Sequence, residues 1–142
     1  MAKACVFCEI VAGKLPAHVV MSDDIAMAFL DTRPLFEGHT LLVPRDHHET
    51  LGELPPAMIE PLFSRVQLLA HVMEDDFGAA GSFVAMNNRI SQSVPHLHVH
   101  VVPRNPKDGL RGFFWPRTKY RDQQHAAAVA ADLATAYAAR QR

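Results

Sequence analysis

The chain has 142 residues, 49% of them apolar and 20% charged, with a formal net charge of −1. That length fits one domain with a real core, and the apolar share excludes a disordered chain. The near-zero charge argues against an electrostatic nucleic-acid binder, and no apolar run reaches the length of a membrane span.

The N-terminal stretch lacks the basic start and apolar core of a signal peptide, so a cytoplasmic location is expected. In a reducing compartment the C-x-x-C of Cys5 and Cys8 points to metal or redox chemistry before a disulfide. Residues 5–13 mix apolar and small side chains and predict a short helix ending at Gly13. Apolar runs at 17–21 and 25–30 flank Ser22-Asp23-Asp24, the pattern of a β-hairpin. Pro34 and the Glu37-Gly38 pair then break the pattern, and 39–43 predicts a third strand stopped by Pro44.

Residues 56–77 carry the strongest helical periodicity. Ile59, Leu62, Phe63, Val66, Leu69, Ala70, Met73 and Phe77 recur at spacings of three and four. Pro55 and Pro56 suit a first turn, whereas Pro61 must lie within that turn or bend the helix; Gly78 and Gly81 close it. Strands follow at 82–87 and 96–102. An Ala-rich helix over about 121–140 presents Val129, Leu133 and Tyr137 on one side, to pack on the sheet or on a partner subunit. Hairpin-linked strands with separate helices make the fold class α+β, with an antiparallel sheet of about five strands.

The stretch His96-Leu97-His98-Val99-His100-Val101-Val102 organises the rest. In a strand, a period of two puts the three histidines on one face and Leu97, Val99 and Val101 on the other. Three imidazoles on one face support three readings. They could ligate a metal, since i and i+2 histidines present two nitrogens to zinc. One could be a nucleophile that its neighbours orient. Or they could be histidines with no task, which an unbroken triple alternation disfavours. Gln92, Ser93 and the turn amides of residues 88–91 supply donors suited to phosphoryl oxygens, and imidazole, largely unprotonated at pH 7, is a sensible nucleophile towards phosphorus. Nothing in that loop resembles a hydrophobic acyl pocket.

This heptapeptide resembles the signature of the histidine triad (HIT) superfamily of nucleotide hydrolases and transferases. Cys5-Val6-Phe7-Cys8-Glu9-Ile10, Ala28-Phe29-Leu30-Asp31, Gly38-His39-Thr40-Leu41-Leu42-Val43-Pro44-Arg45 and Gln92-Ser93-Val94-Pro95 resemble further segments of that family, in its order, over about residues 5–104. The resemblance implies a HIT-like fold, one domain over 1–142, and a homodimer in which a C-terminal segment of about 105–142 tunes specificity. It implies that His98 attacks the α-phosphorus of a purine nucleotide, such as a dinucleoside polyphosphate or nucleoside phosphoramidate. Water would then release a nucleoside monophosphate with no catalytic cofactor. His100 would contact phosphate, His96 would support the nucleophile, and Ser93 would bond the leaving group. Gln92 and Asn87 would line the phosphate or ribose side, Asp31 would accept from the ribose hydroxyls, and His39 would stand behind the site. By residue type alone, Asp31 reads equally as a turn residue and His39 as a satisfied core histidine. A nucleotide-binding regulatory protein with little turnover is the alternative of a different class, and a zinc protein using the histidines only as ligands is a third.

Residues 88–92 depart from the family pattern, being about two residues short and carrying Ser91 where a glycine is usual, which puts substrate preference in question. Cys5 and Cys8 have the spacing of half a tetrahedral zinc site. The resemblance implies that His47 and His96 complete it as a structural centre; His48 adjoins His47, and two free thiols are the other reading. Finally, Phe113, Phe114 and Trp115 sit in a Gly-flanked stretch that would be a substrate-side lid, a dimer contact or an anchor under the last helix.

Overall fold

The computed structural model describes residues 5–111 and 116–141, which fall into two compact units, 1–108 and 109–142. Phe113, Phe114 and Trp115 lie outside the described residues. The first unit is an α+β fold built on one antiparallel five-stranded sheet in the order β1-β2-β3-β5-β4. Its strands are β1 (Val19–Ser22), β2 (Ala26–Leu30), β3 (Thr40–Pro44), β4 (Gly81–Ala85) and β5 (Val99–Arg104). Helix α1 (Val6–Val11) precedes the sheet, and α2 (Ile59–Asp75) crosses from β3 to β4.

The β1–β2 hairpin forms where its turn residues predict it. Asp23 Oδ1 accepts from the backbone N–H groups of Ile25 and Ala26, both at 2.9 Å, an Asx-type closure of the turn. Its other oxygen accepts from Arg65 Nε at 2.8 Å and so ties α2 to the hairpin. Pro44 ends β3 from inside the ladder, paired with Ala26.

The predicted helix over 56–77 resolves into a 3₁₀ turn at Pro56–Met58 followed by α2. Pro61 sits in the first turn of α2, where its missing N–H has no intrahelical partner to lose. Leu62, Val66, Leu69 and Met73 form the buried stripe, each worth about 2 kcal/mol against exposure. Phe77 leaves that stripe because α2 has ended at Asp75 and Gly78, at φ +80, folds the Ala79 N–H back to the Met73 carbonyl. The Phe77 ring lies instead against Gly38, where an added Cβ would come within 2.8 Å of it at a φ of +100 that itself favours glycine. Gly81 does not close the helix but opens β4, which ends two residues earlier than its apolar pattern suggests.

The largest difference from expectation is the start of β5. The ladder begins at Val99, so His96 and His98 lie in the lead-in and, of the three, only His100 is a strand residue. The lead-in makes other bonds: the His96 N–H turns back to the Val94 carbonyl at 2.8 Å, and the Leu97 N–H donates to the His48 carbonyl at 2.7 Å. The alternation of faces survives nonetheless. Leu97, Val99 and Val101 are fully buried with the α2 stripe. The opposite face carries Phe7, Met27, Phe29, Leu41 and Val43, with His100 directly across from Leu41.

The second unit contains α3 (Gln123–Arg140), capped at Asp122, whose side chain accepts from the His125 N–H. None of the residues of α3 is buried, and Leu133 and Tyr137 are exposed. Among the described residues no helix is long and apolar enough to cross a membrane.

Candidate active site and metal centre

The α1 face of the sheet holds a cavity of about 390 Å³. Val6, Phe7 and Ile10 of α1, residues 15–17, and Phe29, Leu30 and Leu41 make it mostly apolar. Its polar lining is confined to Asp31, Thr32, Ser93, His98 and His100. Sequence reasoning found four of these five but missed the apolar wall, because that wall comes from segments far from the phosphate loop. Phe7, the one aromatic between two cysteines, was the available signal.

Hydrogen-bond partners fix the states of His39, His96, His98 and His100. A carbonyl oxygen only accepts, so His98 Nδ1–H donates to the His96 carbonyl at 2.8 Å and the lone pair falls on Nε2. The ring is buried and lines the cavity. Phe7 meets it edge-on, with ring centres 5.1 Å apart at 85°.

His100 is set the opposite way. The Leu35 N–H donates to His39 Nδ1 at 3.0 Å, which leaves the His39 proton on Nε2. That Nε2–H donates to His100 Nδ1 at 2.9 Å, so His100 carries its own proton on Nε2. Burial, then the neighbouring His98 and His39, push the His100 pKa down to about 4, and burial also lowers that of His39 against the opposing pull of Asp31. Two rings lining one cavity thus present opposite functions at neutral pH, a lone pair on His98 and an N–H on His100.

Asp31 Oδ1 accepts from the Arg33 N–H at 2.9 Å, while Oδ2 lies 3.6 Å from His39 Nε2. The carboxylate keeps acceptor capacity at the cavity wall. Asn87 and Gln92 are placed elsewhere. Asn87 Nδ2 donates to the Ser91 carbonyl at 3.1 Å. The Gln92 amide accepts from the Arg89 N–H at 2.9 Å and donates to the Glu49 carbonyl at 2.6 Å. Neither lines the cavity, and both brace the short loop, where Arg89 and Ser91 take φ of +72 and +58 without the help of glycine.

His96 faces away from the cavity into a second cluster. Its Nε2–H donates to the Pro44 carbonyl at 2.8 Å, leaving Nδ1 as a bare lone pair. Within 3.5 Å of that one nitrogen lie Cys5 Sγ (3.3 Å), Cys8 Sγ (3.5 Å) and His47 Nδ1 (3.2 Å), and Cys8 Sγ is 3.3 Å from His47 Nδ1. Zinc bonds of about 2.3 Å to sulfur and 2.0–2.1 Å to nitrogen give tetrahedral edges of roughly 3.3–3.8 Å. The four donor atoms therefore stand near the spacing of a Cys₂His₂ zinc shell, and the His96–Pro44 bond is the outer-shell contact such a ligand makes. Burial, then the adjoining Cys5, push the Cys8 thiol up to about 11, a penalty that a coordinated dication reverses. Cys5, Cys8, His47 and His96 could hold the metal, and four protein ligands leave no open position for catalysis.

The HIT domain family matches residues 12–107 of the chain. An adenylylsulfatase of Arabidopsis thaliana is 35% identical over 108 residues, spanning 75% of this chain and 55% of that one. An adenosine 5'-monophosphoramidase of Candida albicans is 29% identical over 119 residues, 80% of this chain and 78% of the relative. Among solved structures, a zinc-bound histidine triad family protein from Mycobacterium smegmatis superposes with a TM-score of 0.71 at 34% identity, covering 94% of this chain and 97% of that one.

Proposed function

Because this chain belongs to the HIT domain family, we propose that it is a nucleotide hydrolase acting at an α-phosphate through a nucleotidyl-histidine intermediate on His98. The observation that carries the reading is the opposed pair of tautomers in one cavity. His98 Nε2 brings an electron pair to phosphorus, and His100 Nε2–H donates to a non-bridging oxygen as negative charge builds there. The bond from phosphorus to the leaving group breaks as the P–N bond forms, and the leaving group departs with its electron pair and takes a proton from solvent, which the attacking water later returns. Ser93 also lines the cavity and would bond that group. Water then attacks phosphorus, the P–N bond breaks, His98 recovers its lone pair, and a nucleoside monophosphate leaves.

The apolar wall supports a base-binding role, and Asp31 supports acceptance from ribose hydroxyls. None of the described cavity-lining residues is a lysine or arginine. That favours a phosphoramidate or other small leaving group over a long polyphosphate, whose extra charges call for cations. Zinc held by Cys5, Cys8, His47 and His96 would be structural, fixing the N-terminal segment and the His96 carbonyl. A homodimer belongs to the same reading: β4 is an edge strand with Val84 exposed, a surface that soluble proteins cover. Sedimentation as a single chain would overturn that part.

The test is a turnover panel of adenosine phosphoramidates and diadenosine polyphosphates on wild type and His98→Ala. The variant is expected to lose at least about a thousandfold in rate while keeping its fold and zinc content. Near-wild-type rates would defeat the assignment. Tight monophosphate binding by a wild type that turns over none of the panel would favour the regulatory binding protein instead.

A further inference from the structure

Helix α1 belongs to both centres at once. Cys5, its N-cap, and Cys8, one turn later, supply two of the four metal-ligand atoms. Val6, Phe7 and Ile10 of the same helix line the cavity. Phe7, flanked by the two cysteines and buried, packs edge-on against His98, Phe29 and His96, with ring centres 5.1, 5.4 and 6.0 Å away.

A helix of six residues is about 9 Å long and too short to hold itself together in water. Its order must come from its contacts. At its far end, Arg45 Nη2 donates to the Val11 carbonyl at 3.3 Å while Nη1 holds Ser22 Oγ at 3.1 Å, which pins the helix to the hairpin. At its near end the Phe7 contacts hold it, and a metal on Cys5 and Cys8 would tie it further to His47 and His96. A ligand in the cavity and a metal at the helix start therefore both require α1 in the same place.

We propose that metal and nucleotide binding are thermodynamically linked through α1, with Phe7 as the positioning residue that couples them. This rests on the nucleotide reading of the cavity. Whichever ligand binds first orders the shared wall, so the second binds a helix already in place. Linkage is reciprocal: the factor by which zinc raises nucleotide affinity equals the factor by which nucleotide raises zinc affinity.

The experiment uses the full chain, zinc and AMP, under reducing conditions. Zinc affinity is measured by competition with a chromophoric chelator, with and without saturating AMP, and AMP affinity by calorimetry on zinc-loaded and zinc-free protein. Both affinities are expected to change by the same factor, about fivefold or more. In Phe7→Ala, with all four ligands intact, zinc is still held but the factor falls towards one. Phe7→Leu, which keeps apolar bulk, retains part of it and serves if the alanine variant does not fold. Equal AMP affinity with and without zinc overturns the linkage and leaves the nucleotide reading standing. Failure of zinc-loaded protein to bind AMP overturns both.

Discussion

Among the described residues, two histidine clusters differ in what bonds the second nitrogen of the key ring. In the cluster of Cys5, Cys8, His47 and His96, the Pro44 carbonyl takes the His96 proton and leaves a lone pair among three further donor atoms. In the cluster of Asp31, His39 and His100, whose ligand atoms also converge, the Leu35 N–H donates to His39 and forces the proton to the inner nitrogen. A carbonyl behind the ring prepares a metal ligand, whereas an N–H behind it prepares a hydrogen-bond donor. Spacing alone would make both clusters metal sites, and the backbone group behind each ring tells them apart.

Each cluster can be disabled without the other. The largest effect is the loss of turnover in His98→Ala, which leaves Cys5, Cys8, His47 and His96 untouched. Cys8→Ser is the converse. It is expected to weaken zinc binding by more than the roughly 10–100-fold that losing an outer-shell partner costs, read by metal analysis and thermal denaturation. A variant that kept full zinc affinity would show that the four atoms are not one shell.

A smaller effect tests the relay behind His100. His39→Leu removes the donor to His100 Nδ1 and frees that ring to take the other tautomer. We expect kcat to fall by about a hundredfold with little change in KM, the loss typical of one transition-state donor. His39→Gln, whose amide can still donate, is expected to recover part of the rate. Equal losses in both variants would mean that His39 only fills space.

The smallest effect is on stability against pH. His100 titrates at about 4 in the fold against an ordinary 6.5, and His39 is also lowered. Between those values the unfolded chain binds more protons than the folded one, so stability is complete above about pH 6.5 and declines as the pH falls towards 4. Thermal denaturation from pH 7 to 4 should show that decline, and it should flatten in His100→Asn. A wild-type melting temperature flat over that range would contradict the burial of these rings as neutral species.

Much of this was legible in the residues themselves. The alternation of residues 96–102 assigned Leu97, Val99 and Val101 to the core, and all three are fully buried although the ladder starts only at Val99. The stripe of Leu62, Val66, Leu69 and Met73 marked α2 for the same local reason, and it misplaced Phe77 because periodicity does not reveal where a helix stops. The pairing of Cys5 and Cys8 with His47 and His96 came from resemblance, and no spacing rule links residues so far apart. Asn87 and Gln92 could not be placed from sequence, since a loop's side-chain amides go wherever unpaired backbone groups need them, here Ser91, Arg89 and Glu49.

Local periodicity and turn chemistry were enough for the α+β class, the order of the elements and the burial of Leu97, Val99 and Val101. The proton positions on His96 and His100 needed the folded chain. The Pro44 carbonyl is 52 residues from His96 in the chain, and His39 is 61 from His100. Such partners are backbone atoms or distant rings, brought close by sheet register and invisible to any pattern of residue types.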